Sequence, residues 1–223
     1  LVKAAYRLQS GKHLVLVVKD FTFKDKKDIC NSIAHTDMAP YIGTTFAVRC
    51  VRIGEQPFTS REIEEGVGKS IKGTVDLEHP AVIVLVVLIK DRCIIGIDCA
   101  GFDLSKRQYR IFSHGALKAP VAYALLQFAG YDAKKTMLDP FCGDGLLAIE
   151  AAHLAGRFPV QHFVKENIRI TNIPYFSGLR LEKLFAAEDR KSKDRIPGKI
   201  FCIDASFANL KSAEKNAKIA GIN

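Results

Sequence analysis

The feature that most limits what this chain can fold into is a glycine turn set between two kinds of periodicity. Lys135 to Leu138 reads as a short strand, Asp139-Pro-Phe-Cys-Gly-Asp-Gly145 follows, and Leu146 to Ala155 is an apolar helix. Further on, Lys199-Ile-Phe-Cys-Ile203 is a second strand that ends at Asp204. An amphipathic helix comes next, with Phe207, Leu210, Ala213, Ala217 and Ala220 on one face and Gly221 as its stop. Strand, glycine turn, helix, strand, acid, helix is the opening of a doubly wound α/β domain. Gly143 and Gly145 let the backbone run close beneath a ligand, where a Cβ would collide. The helix N-terminus beyond them offers unpaired N–H groups and positive potential to a carboxylate.

The details select the ligand. A dinucleotide site reads G-x-G-x-x-G, with its acid about 20 residues later. Here Ala148 stands at the third glycine position, and Asp204 lies 59 residues beyond Gly145. An acid that opens the turn, Asp139, suits a ligand bearing positive charge more than a pyrophosphate. Asp204, at a strand end, is placed to accept hydrogen bonds from a ribose diol. S-adenosylmethionine carries a sulfonium, an amino group, a carboxylate and a ribose, and meets each of these features. The candidate cofactor-binding positions are Asp139, Pro140, Phe141, Cys142, Gly143, Gly145, Asp204 and Ala205. The plain alternative is a tight strand-to-helix turn that binds nothing.

The upstream half follows another pattern. Residues 1–40 combine a β-like run, His13 to Val18, with a charged stretch from Lys19 to Asp28. Phe46-Ala-Val-Arg-Cys-Val-Arg52 alternates apolar and polar positions, as a strand with Arg49 and Arg52 on its polar side. Thr59-Ser-Arg-Glu62 forms a capping box, and Ile63, Val67 and Ile71 recur at helical spacing until Gly73. Val82 to Ile89 is a continuous β-branched run, suited to a strand buried on both faces, and Cys93 to Asp98 is another strand. This β-α-β-β order is that of a small α+β domain. A helix is expected over Ala116 to Ala129, and residues 156–198 read as irregular.

Composition narrows the partners. The 223 residues carry 33 Lys/Arg against 24 Asp/Glu, a net charge of +9 that divides into +4 up to Phe112 and +5 after it. Basic charge in both halves favours a polyanionic partner, though a Lys-rich soluble surface gives the same balance. The longest apolar run, Ala81 to Ile89, is nine residues, far short of the roughly 18 of a membrane span. Six cysteines without a C-x-x-C pair argue against a zinc site and fit reduced thiols in the cytoplasm. A chain that opens on Leu1 without a signal-peptide layout reads as a fragment or a processed protein.

Leu138-Asp-Pro-Phe-Cys-Gly-Asp-Gly-Leu-Leu-Ala-Ile-Glu-Ala-Ala152 resembles the cofactor motif of THUMP-domain RNA methyltransferases, which carry Ser and Thr where this chain has Asp144 and Leu146. Val75-Asp-Leu-Glu-His-Pro80, Ile95-Gly-Ile-Asp98 and Leu104-Ser-Lys-Arg-Gln-Tyr-Arg110 resemble the THUMP domain, with Pro57-Phe-Thr-Ser60 opening its helix. Within the family, the chain is most similar to the archaeal and bacterial tRNA guanine-N2 methyltransferases. The resemblance implies a ferredoxin-like segment over 1–43, a THUMP RNA-binding domain over 44–112, and the first part of a Rossmann-like class I methyltransferase domain over 113–223. It also implies RNA, most often tRNA, as the partner, while the short apolar runs and the cysteine spacing above lead to the expectation of no membrane and no metal. Arg49, Arg52, Lys69, Lys72, Lys106, Arg107 and Arg110 are the candidate phosphate contacts. Arg107 and Arg110 are equally placed to act as structural ties.

Two departures from the family pattern bear on catalysis. The family places Asn/Asp-Pro-Pro-Tyr/Phe after a fourth strand, where it orients the target amine. No such motif precedes Asn223, so the chain is expected to be C-terminally truncated, inactive alone and without assignable catalytic residues. Asn172-Ile-Pro-Tyr175 resembles that motif but precedes Asp204, and reads as a loop. His114-Gly-Ala116 stands where relatives have His-Pro-Ala near the cofactor. The rival readings are a ribosomal RNA or DNA amino-methyltransferase, and a non-catalytic RNA-binding protein with a relic α/β half.

Overall fold

The computed structural model describes residues 1–112, 115, 117–193 and 195–222. In chain order the elements are α1 (Val2–Arg7), β1 (Val15–Thr22), α2 (Lys26–Ala34), β2 (Thr45–Ile53), α3 (Ser60–Ser70), β3 (Thr74–Val75), β4 (Val82–Ile89) and β5 (Arg92–Asp98). There follow α4 (Ala119–Phe128), β6 (Met137–Asp139), α5 (Leu146–Gly156), α6 (Leu181–Asp189), β7 (Ile200–Cys202) and α7 (Phe207–Ile219). Two compact units result. One comprises 13–102 and 166–179; the other comprises 1–12, 103–165 and 180–223. Among the described residues no helix is long and apolar enough to cross a membrane.

The first unit is built on a five-stranded sheet of order β1-β5-β4-β2-β3. Strand β4 lies at its centre, parallel to β2 and antiparallel to β5. Its β-branched run is accounted for by burial on both faces, since Val82, Val84, Leu85, Val86 and Leu88 are all buried. The polar ends of the helices are set locally. The Asp25 carboxylate accepts from the Lys27 and Asp28 amides at the start of α2. Thr59 and Glu62 close the capping box of α3 reciprocally. Ile29, Ile33, Ile63 and Val67 then turn inward with Phe46. Helix α3 stops at Ser70, short of Gly73, because Ile71 is buried in an extended conformation.

Three features differ from the sequence reading. Strand β1 extends through the charged stretch to Thr22, because it pairs antiparallel with β5 and Arg92 meets Asp20 across the ladder. It and α2 therefore belong to the same unit as the 45–98 elements rather than to a segment ending at residue 43. Residues 166–179 also join this unit: Arg169 donates to the Pro80 carbonyl at 2.6 Å, and Ile170 and Ile173 are buried. Asn172, within Asn172-Ile-Pro-Tyr175, donates to the Ala81 carbonyl at 3.1 Å. That segment forms short 3₁₀ turns and is a structural strap.

The second unit contains the parallel pair β6–β7, with α5 packed against β7 and Ala213 of α7 close against Gly145 at the start of α5. Leu146, Ile149, Ala119, Ala122, Tyr109 and Ala220 form its apolar cluster. The stretch 156–198, expected to be irregular, holds α6, whose Phe185 is buried and packs on Tyr6 at 4.6 Å between ring centres. Helix α7 buries Ala213 and Ala220 as expected, but also Ser212 and Asn216, while Phe207 is exposed.

Candidate functional site

The glycine turn leaves β6 at Asp139 and enters α5 at Leu146, with parallel β7 alongside. Two main-chain hydrogen bonds extend the ladder past the strands: Ile203 N–H to the Asp139 carbonyl at 2.9 Å and Cys142 N–H to the Ile203 carbonyl at 3.0 Å. Asp204 then locks the turn. Its Oδ2 accepts from the Gly143 amide at 2.9 Å, and its Oδ1 accepts from the Ser206 amide and the Asn209 side chain. The Ser206 and Gly143 amides and the Asn209 amide group together hold the Asp204 carboxyl below its ordinary range, so it is ionised at neutral pH.

The two glycines do different work. Both lie in the left-handed region, Gly143 at φ 53° and Gly145 at φ 81°. A Cβ on Gly145 would sit 2.9 Å from the Ala213 Cβ and 3.1 Å from its Cα, so this glycine permits close contact of α5 with α7. That corrects the expectation that both glycines keep Cβ atoms from a ligand. A Cβ on Gly143 would meet nothing within 4 Å. The space above Gly143, called the cradle below, is therefore open, and a side chain at this position would project into it.

The surroundings of this cradle fit S-adenosylmethionine chemically. Asp139 is mostly buried; its Oδ1 accepts from the Phe141 amide at 3.3 Å, and Oδ2 has no hydrogen bond among the described residues. That free oxygen suits an ammonium or sulfonium. Asp204 retains acceptor capacity on Oδ2 for a hydroxyl. Phe141 is 87% exposed and offers an aromatic face. Burial raises the Cys142 thiol to about 12, so it is protonated and not a nucleophile. Pro140 and Ala205 are exposed beside these groups. His114 and Ala116 lie outside the described residues.

The basic candidates separate into two kinds. Arg107 is buried. Its side chain and that of Glu150 are 1% and 0% exposed and meet at 2.7 Å. Tyr109 also donates to Glu150, and Arg107 reaches the Leu104 and Gln9 carbonyls. Arg107 is thus a structural tie, not a phosphate contact. Its partner lies 43 residues on, beyond the reach of local pattern. Arg110 binds Asp144 of the turn at 2.7 Å and also donates to the Gly115 carbonyl. Asn216, which sequence reasoning passed over as one more residue of α7, is buried and donates to the Phe112 and Asp144 carbonyls. In the other unit, Arg49 and Arg52 stand three residues apart in the unbroken strand β2 and so on opposite faces rather than on one polar side; Arg49 donates to the Leu77 carbonyl and Arg52 to Ser60 and the Phe58 carbonyl. Lys69, Lys72 and Lys106 are exposed.

With this geometry in view, two family matches take their place. Residues 107–223 match the RMKL-like methyltransferase domain, and residues 22–98 match the THUMP domain. The first covers more than half of the chain, which therefore belongs to the RMKL-like methyltransferase domain family and carries a THUMP domain besides. Among curated relatives, the tRNA (guanine(6)-N2)-methyltransferases of Methanocaldococcus jannaschii and Archaeoglobus fulgidus are 33% and 28% identical, each over 87% of this chain. The chain spans about half their length, 54% and 49%. The ribosomal RNA large subunit methyltransferase K/L of Vibrio parahaemolyticus is 27% identical over 95% of this chain and 32% of its own. The crystal structure of SMU.472 complexed with SAH shares the fold with a TM-score of 0.82 at 21% identity, covering 99% of this chain and 61% of that one.

Proposed function

We propose that the protein is an S-adenosylmethionine-dependent RNA methyltransferase acting in the cytoplasm, and that its target is the N2 amine of a guanosine in tRNA. The observation that carries the cofactor reading is the open cradle at Gly143, fixed by Asp204 and flanked by the free Oδ2 of Asp139. When bound, the cofactor supplies a methyl group on an electrophilic sulfonium. Asp139 would accept from its cationic end and Asp204 from a ribose hydroxyl. The tRNA part of the reading is supported by the two archaeal relatives and the THUMP match.

The relative that acts on ribosomal RNA favours a second reading, the same chemistry on rRNA. A tritiated-methyl transfer assay with the intact gene product on unmodified tRNA, rRNA and DNA, followed by nucleoside analysis, separates the two, and this chain alone is expected to give no transfer. Labelled N2-methylguanosine in tRNA is the expected product. Label confined to rRNA or DNA would overturn the tRNA assignment.

A further inference from the structure

We infer that a cleft in the glycine-turn unit, edged by Lys12, Lys106 and Lys118, is a seat for the phosphate backbone of RNA. The inference rests on the RNA reading above and says where in this unit the strand is held. The cleft has a volume of about 660 Å³. Five cations (Lys12, Lys106, Arg107, Arg110 and Lys118) line it against one carboxylate, Asp103. The cations fall into a fixed wall and a free rim. Arg107 is neutralised by Glu150 and Arg110 by Asp144, so both serve as scaffold. Lys106 and Lys118 are exposed and have no carboxylate partner among the described residues. Lys12 is 61% exposed and stands 3.8 Å from Asp103, a contact too long and too open to hold it.

The rim is held in place by its backbone although its side chains are exposed. Lys106 is the neighbour of buried Arg107 in the chain, and Lys118 caps α4, whose Ala119 packs into the apolar cluster. Helix α4 directs the positive end of its dipole at the same opening. A small anion would need desolvated, convergent donors to be held. This cleft offers long, hydrated ammonium groups spread around one opening, which suits a chain of phosphates whose counterions are released on binding. Arg110 shares the cleft wall and binds Asp144 of the glycine turn, so a strand in the cleft passes beside the cofactor cradle.

The test is a fluorescence-anisotropy titration of a tRNA transcript over a salt series. It compares the wild type, the triple variant Lys12→Ala, Lys106→Ala, Lys118→Ala, and a control triple of equal charge change, Lys134→Ala, Lys135→Ala, Lys199→Ala. The control lysines are exposed residues of the same unit outside the cleft. The cleft triple should weaken binding about tenfold or more and flatten the log–log salt slope by about 2 to 3, as the loss of up to three phosphate contacts requires. The control should shift the dissociation constant by less than about threefold, S-adenosylhomocysteine affinity should be unchanged, and Lys→Arg at the three cleft positions should retain binding. Equal losses in the two triples, or an unchanged salt slope, would overturn the cleft and leave the RNA reading standing. A wild type that binds no RNA would overturn both.

Discussion

The two units solve the problem of a stable core in different ways. In the sheet unit, stability is a matter of area: β4 is apolar on both faces, and Phe46, Ile63, Leu88 and Ile95 are fully buried around it. The glycine-turn unit gathers Leu146, Ile149, Ala119, Ala122, Tyr109 and Ala220 into an apolar cluster beside the paired strands β6 and β7. There, much of the order comes from polar groups that find each other: buried Arg107 with Glu150 and Tyr109, buried Asn216 with two carbonyls, and half-buried Asp204 with three donors. Area tolerates small changes gracefully, whereas a buried polar network fails when one member is removed.

The largest effect should therefore fall on the buried pair. Arg107→Ala leaves the Glu150 carboxylate buried without its cation and should cost about 3–5 kcal/mol in chemical denaturation. The double variant Arg107→Met, Glu150→Leu should recover most of that loss. A double variant as unstable as the single would show that the pair is not what orders this unit. Next comes Gly145→Ala, whose Cβ meets Ala213 and whose φ is positive; about 1–3 kcal/mol is expected, read by the same titration. Gly143→Ala should cost only about 1 kcal/mol, for the left-handed backbone alone, yet project into the cradle. Calorimetry should then show S-adenosylhomocysteine binding weakened at least about tenfold, and unaltered affinity would remove the cradle from the site.

In the sheet unit, Thr59→Ala breaks the capping box and should cost about 1 kcal/mol. The smallest difference is one of pH. His153, packed against Tyr109 and Phe158 and near Glu150 and Arg107, has its pKa lowered by burial. The unfolded chain thus takes up this proton first, and the stability it contributes is full above pH 6.5 and is lost as pH falls below it. Glu62 of the sheet unit, held at about 2 chiefly by Lys26 and by the Thr59 amide, contributes fully above pH 4.5 and loses this only as pH falls toward 2. Melting temperatures between pH 7.5 and 5.5 should fall slightly in the wild type and less in His153→Leu.

What could be read from sequence was what is local. The capping box spans four residues, the β4 run eight, and the glycine turn seven, and each has its own signature. The charge on Lys19 and Asp20 hid the second half of the edge strand β1, beyond the run His13 to Val18, because its justification is the partner Arg92. Helix α6 was missed although Leu181, Leu184 and Phe185 have helical spacing, because the prolines before it and the charges after it suggested a loop. The role of Arg107 was open because a surface lysine and a buried arginine look alike until the carboxylate is found. Gly143 and Gly145 look equivalent in sequence and differ only in what stands opposite them.

The bond between the Gly143 amide and Asp204 spans 61 residues, which sets an order of events during synthesis. At about 5–20 residues per second, the turn leaves the ribosome roughly 3–12 s before the carboxylate that secures it. Until then its amide has only water for a partner, and closing so long a loop is an entropic cost that short-range elements do not bear. The cradle is therefore a late product of folding, formed only once the intervening α5 and α6 segments are in place. A lesion anywhere between residues 146 and 203 that delays their docking would present itself as loss of ligand binding, though no ligand-facing residue had changed.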